Sequence, residues 1–320
     1  MNKLRAAIAS IVTILLAMSF TSATSSASEY PNQTVRIIVP FGAGSATDIL
    51  ARVVAEKLST RLGQSVIVEN RPGPPGIVAT AKSAPDGYTI MLTSNGHTIS
   101  GIVNKLPVDT VKDFAGISLV ASIPYCVIVP PDFPANDMKG LIAMAKAKPG
   151  SLNFASSGGA GSSTFIATVL FRQAAGINIV SVPYRGAQES LISVMRNDTQ
   201  MYFGPVNVAV GLMAAHKVKI LAVATAERVP MMKQVPTINE SGVPGFDYKA
   251  WFGIFAPAGT PRDIIVRLNK EIGDVLRQPA TAEKLVATGA IPTTSTPDQL
   301  DKINASDTAK LKEMFKNGIQ

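Results

Sequence analysis

The sequence predicts an α/β protein in two lobes, each a mainly parallel sheet flanked by helices, joined by two crossing strands. Three observations carry this expectation. An apolar run, a glycine-rich turn and a helical pattern follow one another at Val35–Leu58, and the same series returns at Leu152–Phe171. Short β-branched runs alternate with helical patterns through most of the chain, as in parallel sheets built from β-α-β units. Two extended runs, Ile117–Val129 and Trp251–Ala256, are placed to carry the chain from one lobe to the other and back. The lobes are expected to comprise residues 28–121 with 227–320, and residues 122–226. Hinge closure on a ligand is a use of such a shape.

Taken in order, Val35–Val39 reads as a buried parallel strand, short and bounded by Pro31 and Pro40. The next helix places Ile49, Leu50, Val53, Val54 and Leu58 on one face, and Gly63 ends it. Ser65–Val68 completes a β-α-β unit, whose crossover is expected to be right-handed. A turn-rich loop, Arg71–Gly76, leads to a short helix at Ile77–Ser83 and a strand at Tyr88–Thr93. The polar stretch Ser94-Asn95-Gly96-His97-Thr98 is expected to be a loop at the carboxyl edge of that strand. Ligands of open α/β sheets bind along this edge.

Leu141–Ala147 is helical and stops at Pro149-Gly150. The second unit runs through strand Leu152–Ala155, loop Ser156–Thr164, helix Phe165–Ala174 and strand Ile177–Val182, with Gly176 as a helix stop. Helix Gln188–Met195, strand Gln200–Phe203, a Gly204-Pro205 turn, helix Val208–Ala215 and strand Ile220–Thr225 follow. After the second crossing, Asp263–Leu276 is helical, with Pro261 near its start and Arg277 near its end. Thr308–Phe315 is the terminal helix.

Composition narrows the function. Lys3 and Arg5 precede an apolar run from Ala6 to Phe20, and Ser25-Ser26-Ala27 offers small residues for cleavage. This is the pattern of a secretory signal peptide, and the run falls short of the roughly 20 residues that span a bilayer. The expected mature chain is therefore residues 28–320, exported and soluble. A formal charge of +8 is scattered along the chain, and only 6% of residues are aromatic. Nucleic acid would require a clustered basic stripe with aromatic platforms. The single cysteine, Cys126, excludes an internal disulfide and lies too far along the chain for a lipid anchor. Its apolar neighbours make it a buried small hydrophobe.

The candidate chemistry lies in the turns. Phe41-Gly42-Ala43-Gly44-Ser45-Ala46-Thr47 and its near copy Gly159-Ala160-Gly161-Ser162-Ser163-Thr164 each lead into a helix N-terminus. Free N–H groups there attract an anion, and two such termini can hold one small anion between them. A dinucleotide fingerprint would need a third glycine where Thr47 stands, and a P-loop would need a lysine. No Gly-x-Ser-x-Gly elbow occurs, and the two histidines, His97 and His216, do not suffice for a metal centre. No catalysis, metal or cofactor is expected. His97 reads either as a ligand contact or as a solvated loop residue, and His216 as a helix-end partner. Ser156, Ser157 and Gly158 open either a binding loop or a flexible surface turn. Arg185, after Tyr184, supplies either a charged ligand contact or a lobe–lobe or surface ion pair. Trp251 and Phe252 read as hinge packing.

Several motifs together carry a resemblance. Tyr30-Pro31, the VRIIVPFGAGSATDILAR stretch, Val68–Gly73, Ala84–Tyr88 and Val111–Phe114 resemble the Bug solute-binding proteins of tripartite tricarboxylate transporters. So do Phe154–Gly158, Val182–Gly186 and WFGIFAPAGTP at Trp251–Pro261. The resemblance covers essentially the whole expected mature chain. It implies a periplasmic, type II two-lobed binding protein that captures a small organic carboxylate, with di- and aromatic carboxylates among the candidates, and delivers it as a monomer to membrane permease subunits. Presentation to a membrane signalling protein and an exported hydrolase are the alternatives. It also implies that Gly42–Thr47 bind a ligand carboxylate and that Ser94–His97 and Ser156–Ser163 add polar contacts. Two departures stand out. The segment after Gly73 is shorter than usual, which should cost its helix a turn. Gly204-Pro205 replaces a common Asp-Asn pair, which is expected to disfavour amino-group ligands.

Overall fold

The computed structural model describes residues 30–157 and 162–315. The expected signal peptide, Met1–Ala27, and the turn residues Gly158 and Gly161 lie outside the described residues.

Strand β1 (Val35–Val39) pairs in parallel with β2 (Val66–Asn70) and β3 (Thr89–Ser94). The long strand β4 (Phe114–Val129) and β9 (Lys249–Pro257) run antiparallel beside them, with β9 between β3 and β4. β4 then continues into a second sheet. Its residues Tyr125–Ile128 pair with β7 (Met201–Pro205), and Cys126–Val129 pair on the other side with β8 (Lys219–Val223). Beyond β7 lie β5 (Asn153–Ser157) and β6 (Val180–Tyr184), in parallel. The strand order is thus β2-β1-β3-β9-β4-β7-β5-β6, with the short β10 (Ile291–Pro292) also on β4.

The first sheet is covered on both faces, and strand alternation decides which residues face which helices. Ile90, Leu92, Phe252 and Ile254 pack with α1 (Ala46–Leu62) and α8 (Arg262–Arg277). Met91, Trp251 and Phe255 point the other way, toward Ile77 of α2 (Pro74–Ala81) and Leu300 of α10 (Pro297–Met314). Between α2 and α10 in sequence come α3 (Gly96–Val103), α4 (Met138–Ala147), α5 (Ser163–Ala175), α6 (Ala187–Met195), α7 (Val206–Ala214) and α9 (Pro279–Ala287). The second sheet alternates likewise. Tyr125, Val127 and Val129 face Phe154, Phe165 and Phe171, while Cys126 and Ile128 face Leu191 of α6 and Val206 of α7. Burial pushes the Cys126 thiol pKa up, consistent with a packing role.

Several expectations change. The Ser94–Thr98 stretch is not a solvated loop: Gly96 starts α3, and Asn95, His97 and Thr98 are buried. The stretch is short and polar, so its composition hides a helix that tertiary packing enforces. The last helix begins at Pro297, not Thr308. A capping box joins the Thr296 hydroxyl to the Gln299 N–H, and the Gln299 side chain to the Thr296 N–H. Its Asp- and Asn-rich first turns mask that signal. Residues after β8 also stay with the second sheet. Val223 bridges Thr237, and the Tyr248 N–H donates to Ala224 O, so this segment bonds to β8 and the residue after it although the expected boundary gives residues from 227 on to the first lobe.

Candidate functional site

The turn after β1 is built by its own side chains. Gly44 has φ +79°, a conformation that favours glycine, and it brings the chain back toward α1. Ser45 caps the helix, its Oγ accepting from the Asp48 N–H at 3.2 Å. The buried Asp48 carboxylate accepts from the Gly44 N–H at 2.9 Å, from Arg52 and from Asn70. Burial opposes its charge, but the Arg52 guanidinium, the Gly44 N–H and the Asn70 amide outweigh it and hold the carboxyl below its usual range. Ser45 N is spent on Gly42 O. Among the described hydrogen bonds, none uses the N–H groups of Gly42, Ala43, Ala46 or Thr47. These are the donors a helix start leaves over.

The second turn repeats the capping chemistry. Ser162 Oγ accepts from the Phe165 N–H at 3.3 Å, and Gly176 ends α5 in the left-handed region as Gly63 ends α1. Its hydroxyls, however, are engaged within the protein. Ser157 Oγ meets Ser190 Oγ at 2.8 Å and donates to the Tyr202 hydroxyl, while Ser157 N donates to Thr164 Oγ1. Ser163 Oγ donates to Asn95 Oδ1 at 2.5 Å, Asn95 Nδ2 donates to Tyr248 OH, and Tyr248 OH donates to Ser163 O. This closed triangle of buried groups ties the start of α5 to the first lobe at the crossing strand.

Both turns open on one cavity of about 820 Å³. Phe41, Gly42, Ala43, Gly44, Ser45, Ala46 and Thr47 line its first-lobe wall. Ser94 and His97 line its floor, and Ser157, Ser162, Ser163, Arg185 and Pro205 face them from the second lobe. Four expected residues do not reach it. Asn95 is spent in the triangle; Ser156 is buried within β5; Tyr184 ends β6, paired with Ser157. Gly204 lies in β7 opposite Cys126, and a Cβ there would meet the Tyr202 ring at 2.5 Å. Gly204 therefore makes room for Tyr202, which itself lines the cavity, and is not the free turn residue its dipeptide suggested.

Arg185 stands at the rim, 95% exposed, its guanidinium 3.9 Å from Glu189, whose carboxylate also accepts from the Arg185 N–H. The pair with Glu189 is a surface ion pair, worth little in water. His97 is neither solvated nor at the surface. Its ring lies edge-on to Phe114 and against Phe255, with Nε2 2.9 Å from Thr110 O. Phe252 lines the cavity as well as packing the crossing, while Trp251 is turned away and donates to Asp307 at 2.8 Å. Sequence reasoning missed Thr93, Ser100, Asn104 and Tyr125, along with the Pro72–Pro74 corner. Only the alternation of β3, which sends Thr93 to the same side as Met91, could have exposed any of them. Arg185 and Glu189 are the charged residues on the described wall, so an anion inside meets chiefly amides and hydroxyls. Among the described residues no His, Cys, Asp or Glu group is arranged to hold a metal, and no helix is long and apolar enough to cross a membrane.

Comparison with known proteins gives a consistent result. The model for the tripartite tricarboxylate transporter family receptor matches residues 50–318. The protein BugT of Bordetella pertussis is 33% identical over 295 residues, covering 90% of each chain. Among solved structures, Rpa4515 of R. palustris with adipate aligns at TM-score 0.77 and 31% identity, over 90% of this chain and 98% of that one. MatC from Rhodopseudomonas palustris with bound malate aligns at TM-score 0.77 and 29% identity, over 89% and 99%.

Proposed function

Since the chain belongs to the tripartite tricarboxylate transporter receptor family, of the Bug type, we propose that it captures a small organic carboxylate between its lobes and delivers it to a membrane permease. As a member of that family it is a periplasmic solute-binding receptor. The observation that supports a carboxylate is the α1 turn: four N–H groups of Gly42, Ala43, Ala46 and Thr47 stand on the cavity wall without partners among the described residues. The α1 dipole adds a partial positive charge there, and such a site favours a carboxylate without a buried cation. The uncharged floor suits reversible capture, because no strong ion pair has to be broken on release. Adipate and malate in the two related structures fit the same ligand class. Binding then draws the lobes together about β4 and β9, and the closed form is what the permease would recognise.

The test is a melting-temperature screen against mono-, di- and tricarboxylates, followed by calorimetric titration of the hits. A ligand that binds only the folded state raises its stability. Ala46→Pro isolates the cradle. Proline is accepted at the first helical position and removes only the Ala46 N–H, so the helix should persist. Affinity is expected to fall about tenfold, the worth of one charge-assisted hydrogen bond. If no carboxylate stabilises the wild-type protein, the proposal fails.

A further inference from the structure

Two asparagines cross between the lobes, one in each direction. Asn95 joins β3 to α3 in the first lobe and is fixed there, its N–H donating to Trp251 O at 3.1 Å and its carbonyl accepting from Thr98 Oγ1 at 2.6 Å. Its buried side chain reaches the second lobe, where Oδ1 accepts from Ser163 Oγ at 2.5 Å and Nδ2 donates to Tyr248 OH at 2.9 Å. Tyr248 belongs with that lobe through its N–H bond to Ala224 O. Asn207 makes the reverse crossing. It stands in the first turn of α7, and its Nδ2 donates at 2.8 Å to Thr288 O, at the end of α9 in the first lobe. Gly289 receives it: a Cβ there would lie 1.9 Å from Asn207 Cγ, so the amide fills the space that a side chain would need.

The two contacts flank the crossing strands. Ser163 starts α5, which packs on the Tyr125 and Val127 face of the second sheet, whereas Asn207 lies on α7, on the Cys126 and Ile128 face. When one lobe bends against the other about β4 and β9, motion toward either face stretches the contact on the opposite one. A buried hydrogen bond that breaks leaves its donor and acceptor unpaired, and that cost favours the lobe angle seen here. Neither asparagine is among the residues that line the cavity, so neither contact waits for a ligand.

We propose that Asn95 and Asn207 are positioning residues for ligand capture: they bias the empty protein toward the lobe angle seen here, so that a ligand has less of the closure to drive. When the binding-competent arrangement is only partly populated, the observed affinity is the intrinsic affinity multiplied by that fraction. The two contacts therefore raise the affinity for every ligand in the same ratio and carry no selectivity, unlike the groups on the cavity wall. The consequence for affinity rests on the carboxylate reading above; the lobe angle does not.

The experiment measures the radius of gyration of the ligand-free protein by small-angle X-ray scattering, for wild type, Asn95→Ala, Asn207→Ala and the double variant. Thermal melting verifies that each folds. Tyr248→Phe, which keeps the ring contact with Tyr125, and Asn207→Ser replace any variant that does not. The double variant is expected to have a larger radius than the wild type, with the single variants between them. Equal radii in wild type and double variant overturn the proposal even where the melting temperature falls, because lost packing alone lowers stability without parting the lobes. Calorimetric titration of the carboxylates found by the screen gives the second readout. Affinity in the double variant is expected to fall about tenfold, by the same factor for each ligand. An unchanged affinity, or factors that differ from ligand to ligand, would also overturn it. If no carboxylate binds the wild type, the carboxylate reading fails, while the scattering still decides for or against the two contacts.

Discussion

The buried His97 should make the fold sensitive to mild acid. An unfolded histidine protonates near pH 6.5, whereas burial holds this ring neutral until about pH 4. Between those values the unfolded chain binds more protons than the native one, so stability rises with pH through the window and is lost as pH falls. With these two values the loss is about 2 kcal/mol between pH ~7 and ~5 and about 3 kcal/mol across the full window. The assay is urea unfolding at a series of pH values, for wild type and for His97→Gln, which keeps a donor for Thr110 O and cannot titrate. The comparison is needed because Asp301 and Asp307 work against the trend. Burial raises both carboxyls above the ordinary value, so at the acid end they gain stability as they protonate. Subtracting the two profiles removes those contributions. A wild type that loses about 2 kcal/mol more than His97→Gln between pH ~7 and ~5 supports the reasoning. Superimposable profiles, or a variant that is the more acid-sensitive, would refute it.

Other substitutions probe the packing around the cleft. Gly204→Ala places a methyl 2.5 Å from the Tyr202 ring and 2.7 Å from Ile128, and should cost about 1–3 kcal/mol in urea unfolding while weakening ligand affinity through the displaced ring. Ser163→Ala leaves Asn95 Oδ1 buried without its donor, and a loss of about 1–3 kcal/mol is expected by thermal or chemical melting. Gly289→Ala strains a residue at φ +80° and drives a methyl into the Asn207 side chain, which donates to Thr288 O; a melting temperature unchanged from wild type would contradict the contact. Asp307→Asn keeps an acceptor for the Trp251 indole but removes a buried charge, so it should leave stability at neutral pH equal or higher, read by tryptophan fluorescence during unfolding.

The contrast between the two serine-rich turns has a functional consequence. Read as a pattern, they are copies, and as helix caps they are: Ser45 and Ser162 hold α1 and α5 in the same way. Their remaining groups are used differently. The first turn leaves four amides on the cavity wall. The described part of the second spends its hydroxyls on Tyr202, Ser190 and, across the lobes, Asn95. The start of α5 is therefore held against Asn95 by protein contacts that need no ligand.

Local chemistry made much of this legible from the chain alone. β-branched runs with glycine stops specify strand, turn and helix by short-range sterics, so β1, α1 and the repeat at β5 and α5 could be placed, as could the two crossings. A single cysteine left no partner for an internal disulfide, and the ordered motifs resembled the Bug proteins before any contact was known. What the chain alone could not decide depended on residues far apart. Whether Ser94–Thr98 is a loop or the start of α3 is settled by Tyr248, Thr110 and Phe255, which lie elsewhere in the sequence. Whether Gly204 serves a ligand or Tyr202 depends on which way one strand faces. And whether His97 is a surface group or a buried one depends on Phe114, Phe255 and Thr110, which enclose its ring from other parts of the chain.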